Sequence, residues 1–114
     1  MMQENSKSVF DSEKALEMVD GDKELLKELI DLFGSDYPGR LAQLSQAIDE
    51  KDSKTIHEAA HSLKGSSGNL HLTRVYELST EISRMGKEGK LEGIETVYKN
   101  LVEQLEKLKE ISLP

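Results

Sequence analysis

The chain has no cysteine and no tryptophan. Without thiols, neither a disulfide framework nor a thiolate zinc site can be built. Aromatics are sparse, two Phe and three Tyr, so a core has to be assembled mainly from Leu, Ile and Val. Positive charge is in the minority: 15 Lys and Arg stand against 22 Asp and Glu, for a net charge of −7. A nucleic-acid binder needs a basic face, and this balance argues against one. No apolar run is long enough to span a bilayer, and the polar opening residues have no signal-peptide pattern. A cytoplasmic protein, unattached to membrane, is expected. Repeats, low-complexity tracts and linkers are also missing, so the 114 residues are expected to form one domain with one modest core.

The chain does show helical periodicity. Residues 1–10 look like a loose arm, with Val9 and Phe10 as its apolar anchors. Asp11 or Ser12 can cap a short helix through about Val19, whose apolar edge of Ala15, Leu16 and Val19 suits a lid on one end of a bundle. Asp20-Gly21-Asp22 breaks it, and Asp22 is a good N-cap for the second helix. From Lys23 the apolar positions Leu26, Ile30, Phe33, Tyr37, Leu41, Leu44 and Ile48 keep a helical phase straight through Pro38-Gly39. A loop would reset that phase, so the spacing predicts one helix bent at Pro38 rather than two.

Asp52 or Ser53 caps the third helix, which should end near Asn69, a residue tolerant of the left-handed conformation. A further helix is predicted from about Leu72 to Met85, with Gly86 and Gly89 bracketing its exit turn. The last runs from about Leu91 to Ile111 with Ile94, Val97, Tyr98, Leu101, Leu105 and Leu108 inward. The fold expected is all-α: an antiparallel four-helix bundle with a short additional N-terminal helix. Polar ends on such a bundle suit a freestanding monomer.

Ile56 to Leu70 is the unusual stretch. On a helical wheel Ile56, Ala59, Leu63, Ser66, Ser67 and Leu70 form a small or apolar stripe. His57, Glu58, Lys64, Gly65 and Gly68 fall within about 60° of His61 on the opposite side. A solvated helix face normally carries Glu, Lys, Gln and Ala. Two glycines here each cost roughly 1 kcal/mol relative to Ala, and their missing side chains leave the imidazole of His61 uncovered. Lys64, one turn on, brings a cation to the same face. A bare imidazole beside a cation and open space suits an anion of phosphate size. A neutral imidazole keeps one ring nitrogen with a free lone pair, able to attack phosphorus in line.

The same stretch contains His57-Glu58-Ala59-Ala60-His61, which matches the H-E-x-x-H pattern of zinc metalloproteases. Histidines one turn apart can both ligate zinc, with the Glu as general base. The longer pattern fails, because Lys64 stands at its glycine position and Ser67 at its third histidine. Glu81 is a distant candidate for a third ligand, and no strand is legible to hold a substrate. A zinc metallohydrolase is therefore the weak alternative.

The run Ala60-His61-Ser62-Leu63-Lys64-Gly65-Ser66-Ser67-Gly68-Asn69-Leu70 resembles the signature of histidine-containing phosphotransfer (HPt) domains, H-x-L-K-G followed by small residues. Leu25, Leu26, Leu29, Phe33, Leu41, Leu44 and Ala47 upstream, and Val75 to Arg84 downstream, extend the resemblance over almost the whole chain. One departure is His71, where the family often has glycine. The resemblance implies a phosphorelay intermediate, a carrier without independent turnover. It implies that His61 is the phosphorylated nucleophile and Lys64 the stabiliser of phosphoryl charge, with Gly65 and Gly68 giving steric clearance and His57 and Glu58 available for docking. The implied partners are receiver domains of hybrid sensor kinases and response regulators. Mg²⁺ is expected in the receiver, with no cofactor or metal held by this chain. The local charge agrees, since Lys54, Lys64 and Arg74 face only Glu58 between residues 54 and 74. A module that docks receivers or kinases without transferring phosphate is the other alternative.

Overall fold

Short acidic caps set where the helices begin. The structure, a computed structural model, describes residues 10–110. Its elements are α1 (Ser12–Met18), α2 (Lys23–Glu50), α3 (Ser53–Asn69), α4 (Thr73–Glu88) and α5 (Ile94–Glu106), with a 3-10 turn at Lys107–Glu110 after them. Asp11, Asp22 and Asp52 are the N-caps of the first three, each accepting the backbone N–H three residues on, from Lys14, Leu25 and Thr55, at 3.2, 3.0 and 3.1 Å. Each satisfies a donor that the first helical turn otherwise leaves unpaired.

The long second helix is continuous through Pro38, as its unbroken apolar phase predicts. Leu26, Phe33, Leu44 and Ile48 are buried, while Ile30, Tyr37 and Leu41 pack half-buried against the same core. Tyr98 of α5 donates its hydroxyl to the Leu41 carbonyl at 3.4 Å, tying the two helices together one turn past the proline. α2 ends at Lys51, which adopts the left-handed conformation at φ 55°.

Two helix boundaries, the start of the last helix and the end of α4 at Glu88 rather than Met85, differ from the sequence-based expectation, while α3 ends at Asn69 as expected. The final helix starts at Ile94 rather than Leu91, because Gly93, at φ 81°, closes a turn of its own first. Its predicted end at Ile111 lies outside the described residues. Past Asn69 the left-handed residue is His71 (φ 57°), not Asn69, which stays helical as the last residue of α3. His71 therefore takes the backbone conformation that glycine reaches most cheaply. Its carbonyl accepts the Asp11 N–H at 3.0 Å, so the α3–α4 turn is pinned to the start of α1. Of the expected loose arm, residues 1–9 lie outside the described residues, whereas Phe10 is buried. With Ala15 and Val19 it seats α1 on the bundle.

α2 to α5 thus form the antiparallel four-helix bundle, with α1 as the additional helix. The tightest contact joins α3 and α4. Gly86, expected in the exit turn, lies inside α4 and is buried. A Cβ there would meet the His57 backbone nitrogen at 2.7 Å, and Ile56 Cγ2 and the Ser53 carbonyl at 2.9 Å. Only glycine lets the two backbones come this close. Gly89, in the left-handed conformation at φ 71°, ends α4.

Gly86→Ala should therefore lower the urea midpoint of unfolding, by about 1–3 kcal/mol in stability, without changing the m-value. A midpoint equal to wild type would mean that α4 can move away freely. Asp52 gives a second expectation. The Thr55 hydroxyl donates to its carboxylate at 2.7 Å and the Thr55 N–H adds a second bond, which hold the Asp52 carboxyl below its ordinary value of 3.8. A depressed carboxyl contributes stability above the unfolded value, and that contribution is lost as pH falls through the folded one. Asp52→Ala should lower the urea midpoint at pH 7, and the gap to wild type should close in acid below pH 3.8.

Candidate functional site: an open histidine on the outer face of α3

The inner side of α3 buries Ile56, Ala59, Ala60, Leu63 and Ser67. Ser66 and Ser67 satisfy their hydroxyls within the helix, donating to the Ser62 and Lys64 carbonyls at 3.1 and 3.2 Å. They serve as small spacers, which leaves the chemistry to the other side. There His61 is exposed. Gly65, one turn further, is exposed too, and a Cβ built on it meets nothing within 4 Å. The space beside the imidazole is open, as the glycine at that position predicts.

Gly68 is different. A Cβ on it would stand 3.0 and 3.1 Å from Cδ1 and Cε1 of the Tyr76 ring. The Tyr76 ring of α4 packs against the space that Gly68 leaves, so beside Gly68 the open side is bounded by an aromatic. Lys64, half-buried, lies with its ammonium 6.0 Å from the centroid of the same ring. His61, Lys64, Gly65 and Tyr76 line one groove, to which α1 contributes Lys14.

His57 has a structural task. It is half-buried, and its Nδ1 lies 3.0 Å from both the carbonyl and the hydroxyl oxygen of Ser83 on α4. A carbonyl can only accept, so Nδ1 carries the proton and donates to Ser83. His57 thereby ties α3 to α4, with its ring stacked on that of His61 at 5.7 Å between centroids and 29° between planes. Glu58 is exposed. Among the described residues no third His, Asp or Glu joins His57 and His61 in a group that could hold a metal ion, so Glu81 does not complete a zinc site.

Tyr76 and Ser83 were not legible as site residues in the sequence. The available signal was the hairpin itself. An antiparallel pair turning at residues 70–72 brings Gly68 opposite Tyr76, and the start of α3 opposite the end of α4. Among the described residues no helix is long and apolar enough to cross a membrane.

Several known proteins are similar to this chain. The phosphorelay intermediate protein rdeA of Dictyostelium discoideum is 29% identical over 99 residues, covering 87% of this chain and 39% of that protein. Multistep phosphorelay regulator 1 of Schizosaccharomyces pombe is 33% identical over 88 residues, 76% of this chain and 29% of its own length. The chain thus spans well under half the length of either relative. Among solved structures, the histidine-containing phosphotransfer protein B (HptB) of Pseudomonas aeruginosa PAO1 superposes with a TM-score of 0.79 at 21% identity, covering 90% of this chain and 89% of that one. At that identity the likeness speaks for the fold. The family model described as Hpt domain matches residues 28–111, from the first turns of α2 to the end of the bundle and across the whole of α3. The chain belongs to the Hpt domain family.

Proposed function

We propose that this chain is a phosphorelay intermediate in two-component signalling, with His61 as its phosphorylated residue. The observation that carries the reading is the bare space at Gly65 beside an exposed imidazole. A ring nitrogen of His61 attacks the phosphorus of a receiver's aspartyl phosphate. The N–P bond forms as the O–P bond breaks, and the aspartate leaves as a carboxylate. Reversal onto a second receiver's aspartate regenerates the free imidazole, so the chain is a carrier and has no turnover of its own. Lys64 neutralises phosphoryl oxygens as charge builds on them. The acidic pocket and its Mg²⁺ belong to the receiver.

A carrier has to enter a partner's site and leave again. A nucleophile exposed on the outer face of a helix, in an open groove, suits that, since the partner can close over it and withdraw. An apolar groove on the neighbouring face supports docking there. It is lined by Met18 of α1 and by Leu29, Leu32 and Phe33 of α2, and it reaches α3 at Ser66. Leu32 is 66% exposed and Met18 42%, which is costly unless a partner covers them in passing. The interface this implies is modest and transient, with receiver domains of hybrid kinases and response regulators as the partners.

The reading is tested with a panel of phosphorylated receiver domains, comparing wild type with His61→Gln. Acid-labile, alkali-stable label should appear on the wild type alone. No label from any receiver, on a folded protein, would point to a docking module without transfer. Gly65→Glu should keep its helical circular dichroism yet fail to take label, because the new carboxylate fills and repels the phosphoryl group's space. Normal labelling of that variant would mean that the open space at Gly65 is not needed.

A further inference from the structure

Tyr76 is 40% exposed, although the chain has only five aromatics to build its core. A glycine stands opposite it on α3. Its ring atoms lie 3.0 and 3.1 Å from where Gly68 would carry a Cβ, so an alanine there would make the ring give by a few tenths of an ångström. On the same ring the Lys64 ammonium lies 6.0 Å from the centroid, at the outer limit where an aromatic face attracts a cation. Lys64 and Tyr76 line the groove that holds His61 and Gly65.

A lysine on a solvated surface spreads its ammonium over many rotamers, and ordering it beside a phosphoryl group costs conformational entropy. An aromatic face on one flank narrows that spread. It removes the rotamers that fall across Gly68 and holds the ammonium by attraction to the ring's negative face. The ring attracts the ammonium without neutralising it, so the full charge stays available to an anion. A carboxylate in the same place would compete with the phosphoryl group for it.

We propose that Tyr76 is a positioning residue that holds the Lys64 ammonium beside the phosphoryl group on His61, with Gly68 as the seat that admits its ring. The inference rests on the phosphocarrier reading and on the role given there to Lys64. Tyr76 does not touch phosphorus; it acts through the lysine.

A double-mutant cycle tests this, using the second-order rate at which one phosphorylated receiver labels His61. Tyr76→Leu should slow labelling by about two- to fivefold, the worth of an exposed cation–π contact. Tyr76→Phe should label at the wild-type rate, since the ring face and not the hydroxyl holds the ammonium. In a Lys64→Ala background Tyr76→Leu should cause no further slowing. Gly68→Ala, which makes the ring give by only a few tenths of an ångström, should slow labelling no more than Tyr76→Leu does, and any slowing should vanish in the same background. Equal slowing by Tyr76→Leu with and without Lys64 would overturn the proposal and make Tyr76 a docking residue, and so would a Tyr76→Phe rate as slow as that of Tyr76→Leu. Wild-type labelling by Lys64→Ala would overturn both the lysine's role and the proposal. Absence of label on wild type would remove the phosphocarrier reading beneath them. Circular dichroism of each variant separates these outcomes from loss of fold.

Discussion

The outer face of α3 depends on how closely its inner face is held by α4. Gly86 sets that distance: with a Cβ less than 3 Å from backbone atoms of α3, the two helices can meet there only if residue 86 has no side chain. Close approach then brings the Ser83 carbonyl within reach of His57 and the Tyr76 ring down onto Gly68. A bundle with looser α3–α4 packing would keep His61 exposed but lose both contacts beside it. The rigidity that presents the histidine is thus generated on the buried side of the helix.

Three glycines in this hairpin serve three different ends, although each weakens its helix in the same way. Gly65 faces open space and keeps it open. Gly68 admits a ring, and Gly86 admits a backbone. Only the first is what a binding surface needs directly. The other two spend helix stability on contact between helices, and that contact positions the side chains around the first.

The helices were legible because their apolar phase is long and consistent, and the phase through Pro38 outweighed the local propensity of Pro-Gly to break a helix. His61, Lys64 and Gly65 were legible because they share one face of one helix, a property of local sequence. The surroundings of Gly68 and His57 were hidden for the complementary reason. Their neighbours Tyr76 and Ser83 sit on another helix, and wheel geometry within α3 carries no information about α4. The end of α3 at Asn69 was legible, but the left-handed residue falls two positions later, because a histidine at φ 57° has no distinctive sequence signal while an asparagine does. Helix starts were read well where an aspartate caps them and less well at Ile94, where Gly93 serves instead.

The bond from His57 to Ser83 bears on how short patterns are searched for. His57-Glu58-Ala59-Ala60-His61 spells a zinc protease motif, yet its first histidine grips the neighbouring helix and its second faces solvent. Any helix that uses a histidine to hold its neighbour one turn before a functional histidine will spell the first and last letters of that motif, and an acidic surface supplies the glutamate cheaply. Pattern searches for metallohydrolases will therefore collect helical bundles of this kind. The gripping bond alone does not sort the two populations, because zinc-binding histidines also donate their second nitrogen to carbonyls. The sorting feature is a third ligand. A metal site needs one converging on the pair, from this helix or from another, and among the described residues none joins His57 and His61.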